Sequence, residues 1–231
     1  GQRVLVIETM GNARISASVA AALDRTVQAL EQAGAVVRRH DAPVDNGSTT
    51  LVTMMRAYQN IRLRPMLAAH RHHMDPSLVE ALEEGASQTL ADVQRAPADR
   101  SMLYRGVESL FAAHDLVLTP TVSAPPPSVR HGTNDPLTID GVEVGPLRAQ
   151  WYCYTGLFNL TGHPGLSVPA GFDAQGFPVG VQLVGRWFDE AKLLAVAAWL
   201  EQAMPWATRW PSMEGAGGPL PYPFAEAALP P

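Results

Sequence analysis

The sequence predicts an α/β fold: a mixed, twisted sheet with helices on both faces. Three observations carry that expectation. Early in the chain an apolar run, an amphipathic stripe and a second apolar run follow in strand–helix–strand order, the unit that builds parallel sheets. Late in the chain two segments of alternating apolar residues flank a turn, the pattern of an antiparallel hairpin. With 231 residues, 46% of them hydrophobic and 17% charged, the chain has ample material for one buried core.

The elements follow in order. Residues 3–7 form a short apolar run that reads as a buried strand. Ser16 is positioned to cap a helix whose stripe is Val19, Leu23, Val27 and Leu30, and Gly34 ends it before a strand at Val36-Val37. The turn after the first strand carries only Gly11, not the Gly-x-Gly-x-x-Gly set of a dinucleotide site. Residues 50–114 read as helical, with breaks at Asp75-Pro76 and near Pro97, and with a core stripe of Leu103, Val107, Leu110 and Phe111. Leu116-Val117-Leu118 is a strand that runs into Thr119-Pro120-Thr121, and Pro125-Pro126-Pro127 makes a stiff loop.

Residues 128–147 read as a polar, glycine-bearing excursion, and Gln150–Leu160 as an aromatic-rich helix stopped by Gly162-His163-Pro164. Leu166, Val168, Ala170 and Phe172 alternate on one strand, Asp173-Ala174-Gln175-Gly176 turns, and Val179, Val181 and Leu183 alternate on the return. The last helix starts at Asp189, carries Leu193, Val196, Ala197 and Leu200, and stops before Pro205. Residues 1–210 therefore read as one body. Residues 211–231, with six prolines, three glycines and no basic side chain, read as an extended tail.

Composition removes several functions. A net charge of −5 offers nucleic acid or an anionic membrane no electrostatic attraction. No apolar stretch approaches the ~20 residues of a membrane span, and no secretory leader is expected. One cysteine excludes an internal disulfide, which suits a cytoplasmic location.

The wording of the C-terminal third is more specific. Asn159-Leu160-Thr161-Gly162-His163-Pro164, Ser167-Val168-Pro169 and the run Gly176-Phe177-Pro178-Val179-Gly180-Val181-Gln182-Leu183-Val184-Gly185 resemble the C-terminal end of the amidase signature family. These are serine hydrolases of amide bonds. The resemblance is specific over 148–200, moderate over 1–40 and 115–127, and weak over 45–110. It implies part of that family's α/β/α sandwich, no metal or organic cofactor, and a small-molecule amide as the intact enzyme's substrate.

The family's chemistry, however, uses a serine nucleophile, a second serine in a Gly/Ser-rich loop, and an upstream lysine. This sequence has no Gly-Ser-Ser cluster and one lysine, Lys192, against sixteen arginines. Arginine, with a pKa above ~12, cannot shuttle protons in its place. The resemblance therefore implies the C-terminal part of an amidase, supplying scaffold and part of the substrate pocket but no catalytic residue. Its partner would be the missing N-terminal catalytic half, or another copy, covering an exposed sheet edge or apolar face. The alternative is a stand-alone, non-catalytic binding or partner subunit on the same scaffold. A third reading is an unrelated α/β hydrolase using Cys153 or Ser167.

The candidate residues divide accordingly. Cys153 with His163 invites a thiol–imidazole reading, but spacing shows no activating base, and packing is the simpler role. Ser167 lacks the final glycine of a nucleophile elbow and alternates with apolar residues in a strand. His70, His72, His73 and Asp75 lack the i, i+4 spacing of helical metal ligands and read as a solvated helix end. Trp151, Tyr154 and Phe158, at i, i+3 and i+7, share a helical face that suits either core packing or, by the resemblance, the substrate channel. Thr121 in the Thr-Pro-Thr loop is the fourth candidate for substrate binding.

Overall fold

In the computed structural model, which describes residues 1–206 and Arg209, five strands form one mixed sheet. The tail read over 211–231 lies outside the described residues. β1 (Arg3–Val6) is buried at every position after its first, as a continuous apolar run must be when both faces of a strand are covered. α1 (Ala17–Gln32) returns the chain to β2 (Val36–Arg39), parallel to β1. Ser16 caps α1 by accepting from the Val19 amide, and Gly34 follows the helix at φ +85°.

β3 (Leu116–Pro120) lies parallel on the other side of β1 and is buried throughout. The hairpin then completes the sheet, so that β2, β1, β3, the returning strand and the first hairpin strand lie in that order. Those last two are β7 (Pro178–Val184) and β6 (Gly165–Phe172), both antiparallel to their neighbours. The Asp173 carboxylate holds the turn by accepting from the amides of Gln175 and Phe177. Val179, Val181 and Leu183 are buried as their alternation requires. β2 and β6 are the edges among the described strands.

Register sorts side chains between the faces. Val4, Val6, Leu116, Leu118, Val181 and Leu183 share one face; Leu5, Val117, Thr119, Gln182 and Val184 share the other. α1 and α8 (Glu190–Ala203) touch each other and cover the first face, where Val4, Leu30 and Val196 meet. The second face is covered by α7 (Thr155–Thr161), whose N-cap residue Tyr154 accepts from Gln182 through its carbonyl, and α7 is backed by α5 (Leu90–Leu110). Helices thus flank the sheet on both sides, as the sequence predicts.

The helical excursion departs from expectation in detail. It runs through α2 (Ser48–Leu63), a 3-10 turn, the short α3 (Leu67–His70), a second 3-10 turn, α4 (Pro76–Gly85) and α5. The break at Asp75-Pro76 is present, with Asp75 capping α4. Pro97 does not break the chain but lies inside α5. The second break falls earlier, where Thr89 and Asp92 form a reciprocal capping box that starts α5.

Two further elements differ. The polar excursion contains a hairpin, β4 (Pro136–Ile139) and β5 (Val142–Pro146), turning on Asp140-Gly141 with both residues at positive φ. The aromatic helix expected from Gln150 is split into α6 (Leu147–Gln150) and α7, because residues on either side of the split are anchored to different parts of the molecule.

Candidate functional site

The parallel strands end at one rim of the sheet, and ligands of open α/β sheets bind outside the carboxyl ends of such strands. Thr121 follows β3 at that rim, its amide bonded to the Gly180 carbonyl at 3.1 Å. Its Oγ1 lies 2.7 Å from Ser167 Oγ on β6, although β7 runs between them. The two can meet because the intervening residue is Gly180. A Cβ there would stand 3.0 Å from Thr121 Oγ1 and 3.1 Å from Ser167 Oγ. Gly180 has no positive φ, so glycine serves space rather than backbone conformation here.

One register step in from Thr121, on the rung where Ser167 pairs with Gln182 and Gln182 with Thr119, the sheet face carries satisfied polar groups. Gln182 Nε2 donates to Thr119 Oγ1 at 3.1 Å and to the Tyr154 carbonyl at 3.3 Å. The Thr119 hydroxyl in turn donates to the Pro120 carbonyl at 2.7 Å. Both residues are buried, so these bonds remove the desolvation cost of carrying polar groups on a core face. Ser167, by contrast, is exposed, and Thr121 is half-buried.

The four predicted binding residues occupy three settings. Thr121 stands at the rim as described. Trp151 is half-buried in a satellite cluster with Ala124, Leu137, Ile139 and Leu147, its indole N–H bonded to the Ala124 carbonyl at 2.7 Å. Tyr154 and Phe158 are 0% and 2% exposed in the main core. The Tyr154 hydroxyl donates to the Glu8 carbonyl at 2.8 Å and accepts from Asn12 Nδ2 at 2.8 Å, and burial pushes its phenol above the ordinary value. The common helical face expected for Trp151, Tyr154 and Phe158 is thus not formed: the first packs with one cluster, the others with another.

The remaining candidates are accounted for by packing. Cys153 is buried and burial pushes its thiol up to about 12, far from thiolate reactivity at neutral pH. His163 is committed elsewhere, with Nδ1 2.9 Å from Thr161 Oγ1 and Nε2 2.9 Å from Glu108 Oε1, and it stacks on Phe111. Burial pushes its pKa below the ordinary imidazole value, against the pull of Glu108. His70, His72 and His73 are exposed, and Asp75 spends its carboxylate on the Ser77 amide and hydroxyl. Among the described residues no three His, Cys, Asp or Glu side chains gather as a metal site, and no helix is long and apolar enough to cross a membrane.

Lys192 is ion-paired with Asp189 and lies within electrostatic reach of Asp115, at the entry to β3. That is the opposite end of the strand from Thr121, about 20 Å at the rise of a β-strand. The lysine therefore has no access to the Thr121–Ser167 pair. Gly180 and Gln182 are residues that the sequence reading did not assign to a site, and Ser167 entered it only as a candidate nucleophile, not for substrate binding. Their signal lies in the alternation itself: they are the non-apolar positions between the buried apolar ones, and so belong to one face.

Residues 1–194 match the Amidase family. AmiB2 of Mycobacterium bovis is 33% identical over 195 residues, which is 80% of this chain and 40% of AmiB2. A solved amidase is 26% identical with a TM-score of 0.72, over 87% of this chain and 46% of that one. A bacterial aryl acylamidase of the amidase signature family has the same fold, with a TM-score of 0.76 at 22% identity, over 89% of this chain and 44% of that one. The chain thus spans about two fifths of the length of the curated relative it matches.

Proposed function

The chain belongs to the Amidase family, and from that premise we propose that it forms part of an enzyme that hydrolyses carboxylic amides to an acid plus ammonia or an amine. The family match over residues 1–194 carries this reading.

The division of labour follows from which side chains are present. Amide hydrolysis by an activated serine needs a nucleophile, a proton shuttle and donors for the developing oxyanion. No adjacent serines occur in the sequence, and its one lysine is paired on the far side of the sheet. These groups would come from polypeptide beyond these 231 residues, seated against the β6 edge and the rim. This chain would supply the sheet and one wall of the substrate cavity. Thr121 and Trp151 retain exposed surface for substrate contact, while Tyr154 and Phe158 would hold that wall from behind. No cofactor enters the scheme.

Release of a chromogenic amine from an anilide tests the reading. The purified chain alone should release none above buffer. Mixed with the N-terminal half of a family relative bearing the two serines and the lysine, it should turn the anilide over and gain thermal stability. A mixture that associates yet never cleaves any amide would leave the scaffold as a non-catalytic binding subunit instead.

A further inference from the structure

We propose that the Thr121 and Ser167 hydroxyls, meeting over Gly180, form a polar subsite that hydrogen-bonds a carboxamide group. The location as substrate wall rests on the amidase reading; the hydrogen-bonding role rests on the geometry alone. Two hydroxyls 2.7 Å apart use one proton between them. One of the pair must donate to the other, which leaves a single O–H free to donate and lone pairs free to accept. A carboxamide offers the converse set, a carbonyl that accepts and an N–H that donates.

Three features separate this pair from an ordinary cross-strand contact. Paired hydroxyls usually stand on neighbouring strands, whereas these reach across a third strand, and only a residue without a side chain permits that. No side chain of β7 covers the two oxygens, which are the nearest atoms to where a Cβ on Gly180 would stand, and a planar amide would reach both from this notch. Ser167 is in register with Gln182, which is buried and spends its donors on Thr119 and the Tyr154 carbonyl, whereas Ser167 itself is exposed on the outer strand. The free capacity is therefore concentrated at the outer pair.

The test is a titration of the isotope-labelled full chain by NMR with benzamide and with acetophenone, which matches it in shape but lacks the N–H. Catalysis is not needed, so a failure of the amidase reading would not disturb the result. Benzamide should shift the backbone resonances of Thr121, Ser167 and Gly180, and bind at least tenfold more tightly than acetophenone. Ser167→Ala and Thr121→Val should each abolish that preference, and Gly180→Ala should close the notch to both ligands. Each variant's dispersed spectrum verifies its fold; if Gly180→Ala unfolds the hairpin, the two hydroxyl variants still decide. Equal binding of the two ligands, shifts centred elsewhere, or no shift with either would overturn the proposal.

Discussion

The hairpin strand β7 and the helix α2 are built on opposite terms. β7 buries five of its seven residues and is held between β3 and β6. α2 buries only Thr50 of its sixteen residues, and leaves Tyr58 and Ile61 exposed at 58% and 79%. Position in the first is fixed by close packing from both faces. Position in the second depends on contacts with α4 and α5 and on surface ion pairs such as Arg56 with Glu84, which individually contribute little. The sheet is thus the rigid member that can hold a binding wall, and the helical excursion is the region where change is tolerated.

Truncating one apolar side chain in each region should separate the two by the largest margin. Leu118→Ala, at a fully buried position of β3, should cost about 2–5 kcal/mol in urea unfolding. Ile61→Ala should stay within about 0.5 kcal/mol. Similar losses at the two sites would mean that α2 is covered as completely as the sheet.

Gly47, at the entry to α2, tests the seam between the regions. It holds φ +68°, and a Cβ would come within 2.9 Å of Leu103 and Leu160. Gly47→Ala should therefore destabilise by about 1–3 kcal/mol, through strained backbone and displaced core side chains. A neutral result in the same unfolding assay would show that the seam can yield.

A smaller effect should follow pH. His163 joins the turn before β6 to Glu108 on α5, and its pKa is lowered in the fold by burial. The unfolded chain then binds the proton more readily than the folded one, so stability is full above the ordinary histidine pKa of about 6.5 and declines as pH falls below it. Thermal midpoints measured between neutral and mildly acidic pH should fall, and His163→Gln should flatten that slope. An unchanged slope in the variant would assign the acid sensitivity to other groups.

Legibility in the sequence follows the same division. Alternation and turn chemistry made Val179–Leu183 and the Asp173 turn readable, because a strand between two covered faces has few ways to satisfy that pattern. Pro97 misled because one lost backbone bond in a 21-residue helix can be carried by the rest of it. The hairpin at Asp140-Gly141 carries a local signal, an Asp-Gly pair between Ile139 and Val142, but the polar residues around it mask the short strands. The split between α6 and α7 carried none. It depends on Tyr154 reaching Glu8, 146 residues away, and on Trp151 reaching Ala124. The same holds at the rim, where Thr121 meets Ser167 across 46 residues of sequence and a glycine on a third strand. A resemblance could place Thr121 near a substrate; only the register of three strands identifies its partner.

As the wall of an amidase site, this chain contributes no nucleophile of its own. The decisive measurement is intact-mass analysis after treatment with a serine-reactive fluorophosphonate, using the chain alone and the chain mixed with a segment carrying the family's two serines and lysine. An adduct is expected on the added segment and none on residues 1–231. An adduct on Ser167, or on any other residue of this chain, that forms in step with amide cleavage would contradict this assignment.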